Sequence, residues 1–180
     1  RDGGLMNNHN FDFRFVREVY KAISEAGIDY MEIGYKNSKE LFSPKEYGAW
    51  KFCDDDEIRR VIEGIESKTN ISVMVDIGRV NIDDVKPASQ SPVKMIRVAA
   101  YVKDIDKAIF MVNHFAEKGY ETTINIMAIS KDQGVELVPD AAPGDVELLY
   151  HGVIAIEACP GVALVRQRDI VSKDRPLLVR

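Results

Sequence analysis

The chain has few of the residues that build cross-linked or metal-clustered proteins: two cysteines, three histidines and one tryptophan among 180 residues. Cys53 and Cys159 are too few for a disulfide framework, and neither stands in a paired metal-ligand spacing, so a reducing, cytoplasmic setting is expected. His9, His114 and His151 form no His-x-His pair. Long apolar runs are missing as well. None approaches the roughly 18 uninterrupted residues of a membrane helix, and Arg1-Asp2-Gly3-Gly4 is not a basic region leading into an apolar one, so no membrane partner is expected. Basic blocks are absent too, with 24 Lys and Arg against 29 Asp and Glu and a net charge of −5. A nucleic-acid partner would show as a basic face or stripe, and none is expected.

What is present is ordinary globular composition, 46% hydrophobic and 29% charged, enough for one well-buried domain or two small ones. Phe13, Val16, Val19, Tyr20 and Ile23 recur at helical spacing, with Gly27 at a helix C-cap position. Residues 30–34 (YMEIG) read as a short strand. The aromatic-rich stretch 35–53 is long for a connection in an α/β unit, where two to six residues are usual in such loops. Asp54, Asp55, Asp56 and Glu57 then precede Ile58, Val61, Ile62 and Ile65, which predicts an acid-capped helix reaching about Lys68. Residues 71–77 (ISVMVDI) read as a buried strand, 94–100 (KMIRVAA) as another, and Asp104 as the cap of a helix that Gly119 ends. Residues 122–129 (TTINIMAI) complete the series. This alternation is that of parallel βαβ units, whose ligands bind at the C-terminal ends of the strands.

From about Asp132 the pattern changes, as Pro139, Pro143, Gly144, Gly152, Pro160, Gly161 and Pro176 punctuate the short apolar runs 146–150, 153–156, 162–165 and 177–179. The predicted class is therefore α/β, with a parallel sheet in residues 1–131 and a short β-rich segment of unknown role in 132–180.

Charged residues at strand ends mark where chemistry is expected. Glu32 lies between Met31 and Ile33, and an acid inside an apolar strand needs a cation, hydrogen bonds or a metal. Arg1 and Asp2 would meet it at one rim if neighbouring strands are parallel, either as a metal carboxylate beside an oxyanion-steadying guanidinium or as a structural salt bridge. Asp76, Arg79 and Arg97 lie at or near later strands, where they would meet a substrate carboxylate or form structural ion pairs. Tyr35, Lys36, Tyr47 and Trp50 would line an entrance or pack on their own domain. Read as residues, His9 is a solvated loop histidine and His114 a structural or surface one.

Together, Arg1-Asp2-Gly3-Gly4, YMEIG, ISVMVDIG, KMIRVAA and TTINIMAIS resemble the N-terminal half of the catalytic domain of the DRE-TIM metallolyases, over residues 1–131. The similarity is greatest to the branch of 4-hydroxy-2-oxovalerate aldolases. The resemblance implies a partial (β/α) TIM-barrel-like sheet, since a whole barrel takes about 250 residues. It also implies a divalent-metal-dependent aldolase or lyase, acting on a 2-oxo or 4-hydroxy-2-oxo acid through an enolate. Asp2 matches the family's metal ligand, Arg1 its enolate-stabilising arginine and Glu32 the glutamate of the second strand. Arg97 matches a strand arginine that would bind substrate, with Tyr35 beside it. Leu5 stands where the oxovalerate aldolases carry a catalytic histidine, and His9 aligns with a second histidine of that loop as a possible base. The cofactor implied is manganese or magnesium, weakened by the missing His-x-His pair. Other readings are an acyl-CoA-condensing synthase of the same superfamily and a non-catalytic half-barrel module; its uncovered sheet edges would make a homo-oligomer.

Overall fold

The computed structural model describes residues 2–128 and 155–156. Five strands, β1 (Tyr30–Tyr35), β2 (Asn70–Asp76), β3 (Val93–Ala100), β4 (Glu121–Ile126) and β5 (Ala155–Ile156), form one sheet in the order β1-β2-β3-β4-β5. Every neighbouring pair is parallel. The helices of the described residues are α1 (Phe13–Glu25), α2 (Asp55–Ile62) and α3 (Ile105–Glu117). Parallel neighbours laid down in chain order are the arrangement of consecutive strands in a (β/α) barrel, and the fold is that of a partial, barrel-like α/β sheet.

Alternation along the strands divides the sheet into two unlike faces. Ile71, Val73 and Val75 of β2, Ile96 and Val98 of β3, and Ile124 and Ile126 of β4 share one core with Val16 and Tyr20 of α1, Ile58 and Val61 of α2, and Phe115 of α3. The intervening residues point the other way, and their only apolar cluster among the described residues is Tyr35, Met74 and Ala99 with Met127 against it. The apolar run ISVMVDI is thus a strand with one oily face and one mixed face carrying Ser72 and Met74.

Helix ends follow local chemistry. The Asp12 carboxylate accepts from Arg14 N (2.8 Å) and Phe15 N (3.4 Å) at the start of α1, and Gly27 (φ +71°) follows its end as expected. The second helix is shorter than its acid cap and apolar spacing predict. It stops at Ile62 because Arg17 of α1 reaches across to its last turn, donating to the carbonyls of Val61 (2.6 Å) and Glu63 (2.7 Å), and Gly64 (φ +69°) then turns the chain. Nor does Asp54 cap this helix with its side chain, which pairs with Lys39 instead, while Asp104 is held by Lys107 at 2.9 Å.

A close backbone approach shapes the long connection after β1. Gly34 lies where the register of β1 against β2 shifts, and a Cβ there would fall on the Trp50 carbonyl oxygen and within 2.7 Å of Cys53 Sγ. The 3-10 turn Ala49–Lys51 can therefore lie flat on the strand only because residue 34 has no side chain. Trp50, 2% exposed, fills the space behind, and its indole N–H donates to Phe11 O at 3.0 Å. Of the two roles expected for the aromatics of this connection, Trp50 takes that of packing on its own domain.

The expected boundary at 131/132, His151, Cys159 and the runs 146–150, 162–165 and 177–179 lie outside the described residues. The run 153–156 contains β5, which pairs with β4 through Asn125↔Ala155 and Ile126↔Ile156.

Gly34→Ala should lower unfolding free energy in urea by about 2 kcal/mol or more, as overpacking against rigid backbone does. Gly78→Ala, at a positive φ with open space around it, should cost about 1 kcal/mol. Equal losses in the two variants would contradict the close approach at Gly34.

Candidate functional site

The mixed face of the sheet is the polar one. Glu32 of β1 has Ser72 as its neighbour on β2, and Arg97 of β3 sits between Met74 and Thr123. Across β2, Arg97 Nη1 donates to Glu32 Oε2 at 2.8 Å, and Nη2 reaches Asn125 Oδ1 of β4 at 3.4 Å. The two charged side chains are 21% and 13% exposed. A charge pair this sheltered must be kept together, because removing either member strands the other in low dielectric. The acid that the sequence marks as costly thus finds a cation two strands away, and one guanidinium bridges β1, β3 and β4.

Towards the C-terminal ends of the strands, this face is closed by two loops that hold each other. His9 N donates to Gly4 O at 2.7 Å, Gly48 N donates to Asn8 O at 2.9 Å, and Asn8 and His9 both adopt left-handed backbone (φ +55° and +60°). A side chain on Gly4 would lie 2.7 Å from His9 Cε1, so the imidazole rests directly on the Arg-Asp-Gly-Gly segment. The imidazole is buried, at 2% exposure, and meets the Tyr35 ring edge-on with 5.3 Å between centroids. That corrects its reading as a solvated loop histidine. Burial, and then the Lys51 charge, push the His9 imidazole down to about 4, so it is neutral at physiological pH. A neutral imidazole keeps a free lone pair, although burial and the Lys51 charge make it a weaker base than an exposed histidine.

The loop lysine that faces this region is Lys51, not Lys36. Lys36 is held by Asp55 at 2.9 Å and by Cys53 O at 3.1 Å. Lys51 instead places its ammonium over the rings of Tyr35 (5.2 Å), Phe42 (4.6 Å) and Tyr47 (5.3 Å). Its signal in the sequence was a basic residue directly after Tyr47-Gly48-Ala49-Trp50, an aromatic setting that a solvated lysine does not need. Asp76 ends β2 and binds Arg79 at 3.1 Å, one of the ion pairs expected there.

Arg1 lies outside the described residues, and of Asp2 only the backbone, in the 3-10 turn Asp2–Met6, is described. Glu32, Arg97, Asn125, Tyr35 and His9 belong to the polar face and its mouth. His114 lies in α3, between the rings of Phe110 and Phe115. Cys53 is no nucleophile, since full burial pushes its thiol up to about 12. Among the described residues, no three His, Cys, Asp or Glu side chains stand where they could share a metal ion, and a Glu32 oxygen is engaged by Arg97. Asp2, the metal ligand that the resemblance implies, has its side chain outside the described residues. No helix among them is long and apolar enough to cross a membrane.

No family model matches the chain. Six curated proteins are similar to it, among them the 4-hydroxy-2-oxovalerate aldolases of Geobacillus thermodenitrificans and Moorella thermoacetica. The first is 26% identical over 141 residues, 78% of this chain, and the second 26% identical over 106 residues, 59% of this chain. The chain spans 41% and 31% of those relatives. It also superposes on a solved structure described as the "N-terminal domain of a putative aldolase from Bacteroides vulgatus", with a TM-score of 0.61 and 22% identity. That match covers 87% of this chain and 60% of the other, and it supports the fold. The likeness to aldolases is carried by the curated relatives in sequence, and the solved structure carries the fold alone.

The His9 geometry has a consequence for acid stability. Between about pH 6.5 and about 4 the unfolded chain takes up a proton at His9 that the folded chain refuses. Stability should be full above this window and fall as pH is lowered through it, by about 3 kcal/mol at most. His9→Gln should flatten that slope in urea titrations run from pH 7 to 4. An unchanged slope would contradict a buried neutral imidazole.

Proposed function

We propose that this chain carries part of the active site of an aldolase that cleaves a 4-hydroxy-2-oxo acid to a 2-oxo acid and an aldehyde. The observation that supports the reading is Arg97 braced on the polar face of a sheet similar in sequence to named aldolases, with a neutral, buried His9 against Tyr35 at the end of β1. A retro-aldol cleavage needs a base for the 4-hydroxyl proton and positive charge near the enolate that the broken bond leaves behind. His9 would take the proton as the bond between C3 and C4 breaks and the aldehyde departs. Its imidazolium would then return the proton to C3 of the enolate, closing the cycle with His9 neutral again.

Positive charge preorganised at the developing oxyanion is the other requirement. Arg97 is held in place by Glu32 and Asn125, so it need not reorganise as charge develops. Arg1, at the start of the Arg-Asp-Gly-Gly segment, would supply the cation nearest the enolate, with Asp2 beside it. Tyr35 would form a wall of the substrate site, its ring fixed between His9 and Lys51. Asp2 is the residue that would hold manganese or magnesium, and such an ion would polarise the 2-oxo group of the substrate. Manganese and magnesium enter as variables of the assay.

The test is pyruvate release from 4-hydroxy-2-oxo acids by the full-length protein, with and without manganese or magnesium. Arg97→Met should lower kcat/KM by about 100-fold or more, the loss seen when one preorganised oxyanion donor is removed. His9→Asn should lower kcat by about 100-fold or more, and Asp2→Asn should also reduce turnover. No pyruvate from any 4-hydroxy-2-oxo acid, or equal rates in the wild type and Arg97→Met, would overturn the reading.

A further inference from the structure

Lys51 is a buried cation with no anion of its own. The residue is 7% exposed, and among the described residues its Nζ makes no hydrogen bond and no ion pair. Its partners are three aromatic faces at 4.6 to 5.3 Å. Rings attract an ammonium but offer its three N–H donors no protein oxygen, and the amine itself is not sealed from solvent, so an anion can reach it. The nearest charges do not change this balance much. Arg79 repels Lys51, and Asp76, which attracts it, already binds Arg79 at 3.1 Å. Burial and Arg79 together hold the ammonium below its usual range. A buried cation is retained at a cost in solvation, and that cost is offset most directly by an anion that arrives from outside.

Its place in the fold fits such a visitor. The 3-10 turn carrying Lys51 is pressed onto β1 at Gly34, and the lysine stacks on Tyr35, the last residue of that strand. Lys51 therefore stands at the C-terminal end of a parallel sheet, where open α/β folds bind their ligands, with His9 against the other side of Tyr35. Resting on the aldolase reading, we propose that Lys51 binds the carboxylate of the 2-oxo acid, with Tyr35, Phe42 and Tyr47 walling the subsite and Arg79 adding positive field. The rings would shield one side of the ion pair from water. Lys51 would thus set selectivity for acids over neutral ketones, and would hold the substrate while His9 acts on its hydroxyl.

The experiment compares binding of pyruvate and of its neutral analogue pyruvamide by isothermal titration to the full-length protein. Wild type should prefer pyruvate. Lys51→Met should weaken pyruvate binding about 10- to 100-fold, the range of one charge-assisted hydrogen bond, and should lose the preference over pyruvamide. Lys45→Met, on the exposed part of the same loop, should change neither. A Lys51→Met protein that keeps both affinity and preference overturns the anchor and leaves the aldolase reading standing. Wild type that binds neither compound overturns both. A second measurement needs no variant: pyruvate should protect Lys51 of the wild type from acetylation, read by peptide mass spectrometry. Acetylation of Lys51 at the same rate with and without bound pyruvate would overturn the proposal, as would a covalent pyruvate adduct at Lys51 trapped by borohydride.

Discussion

The arrangement depends on one close approach between two stretches of backbone. Gly34 lacks a Cβ, the carbonyl of Trp50 occupies the space that a Cβ would take, and the strand shifts register at the same point. Everything at the mouth of the sheet is referred to that contact. Trp50 reaches past it to bind Phe11 O, Gly48 binds Asn8 O, and the His9 ring comes to rest on Gly4 and Tyr35. A turn of three residues thereby fixes both the N-terminal segment and the aromatic loop relative to β1. Interiors transmit such constraints because they are packed at crystal-like density and cannot flow.

The second constraint is electrostatic and lies deeper in the sheet. Glu32 and Arg97 sit two strands apart, each too sheltered to stand alone, and each is the condition for the other. Such a pair adds little net stability, since desolvation cancels most of the attraction. Its effect is orientation. The guanidinium is held against β1 and β4 at once, and in the proposed reaction charge fixed in this way need not reorganise as negative charge develops. The apolar face stabilises the fold through its contacts with α1, α2 and α3, and the charged pair lies on the other face.

Much of this was legible in the residues. Strand positions followed from apolar runs of the right length, and α1 and α3 from helical spacing and their terminal glycines. Glu32 and Arg97 stood out because charge inside an apolar strand demands a partner. Distance hid the rest. The early end of α2 is set by Arg17, more than forty residues upstream, and no local pattern records that reach. Asp54 resembles a cap but prefers Lys39. His9 reads as a loop residue until the loop is seen folded over it, and the ring of Tyr35 that Lys51 meets lies on a strand sixteen residues upstream. In each case a side chain's environment was made by a contact remote in sequence, where propensity and periodicity carry no information.

The central claim is that a small 2-oxo acid binds on the polar face of the sheet, at the C-terminal ends of β1 to β4, and it is tested most directly by amide chemical-shift mapping during a pyruvate titration. The account predicts saturable shifts clustered at His9, Tyr35, Lys51, Arg97 and Asn125. Shifts confined to the acidic segment around Asp54 to Glu57, or to the helix-covered face around Phe115, would contradict it.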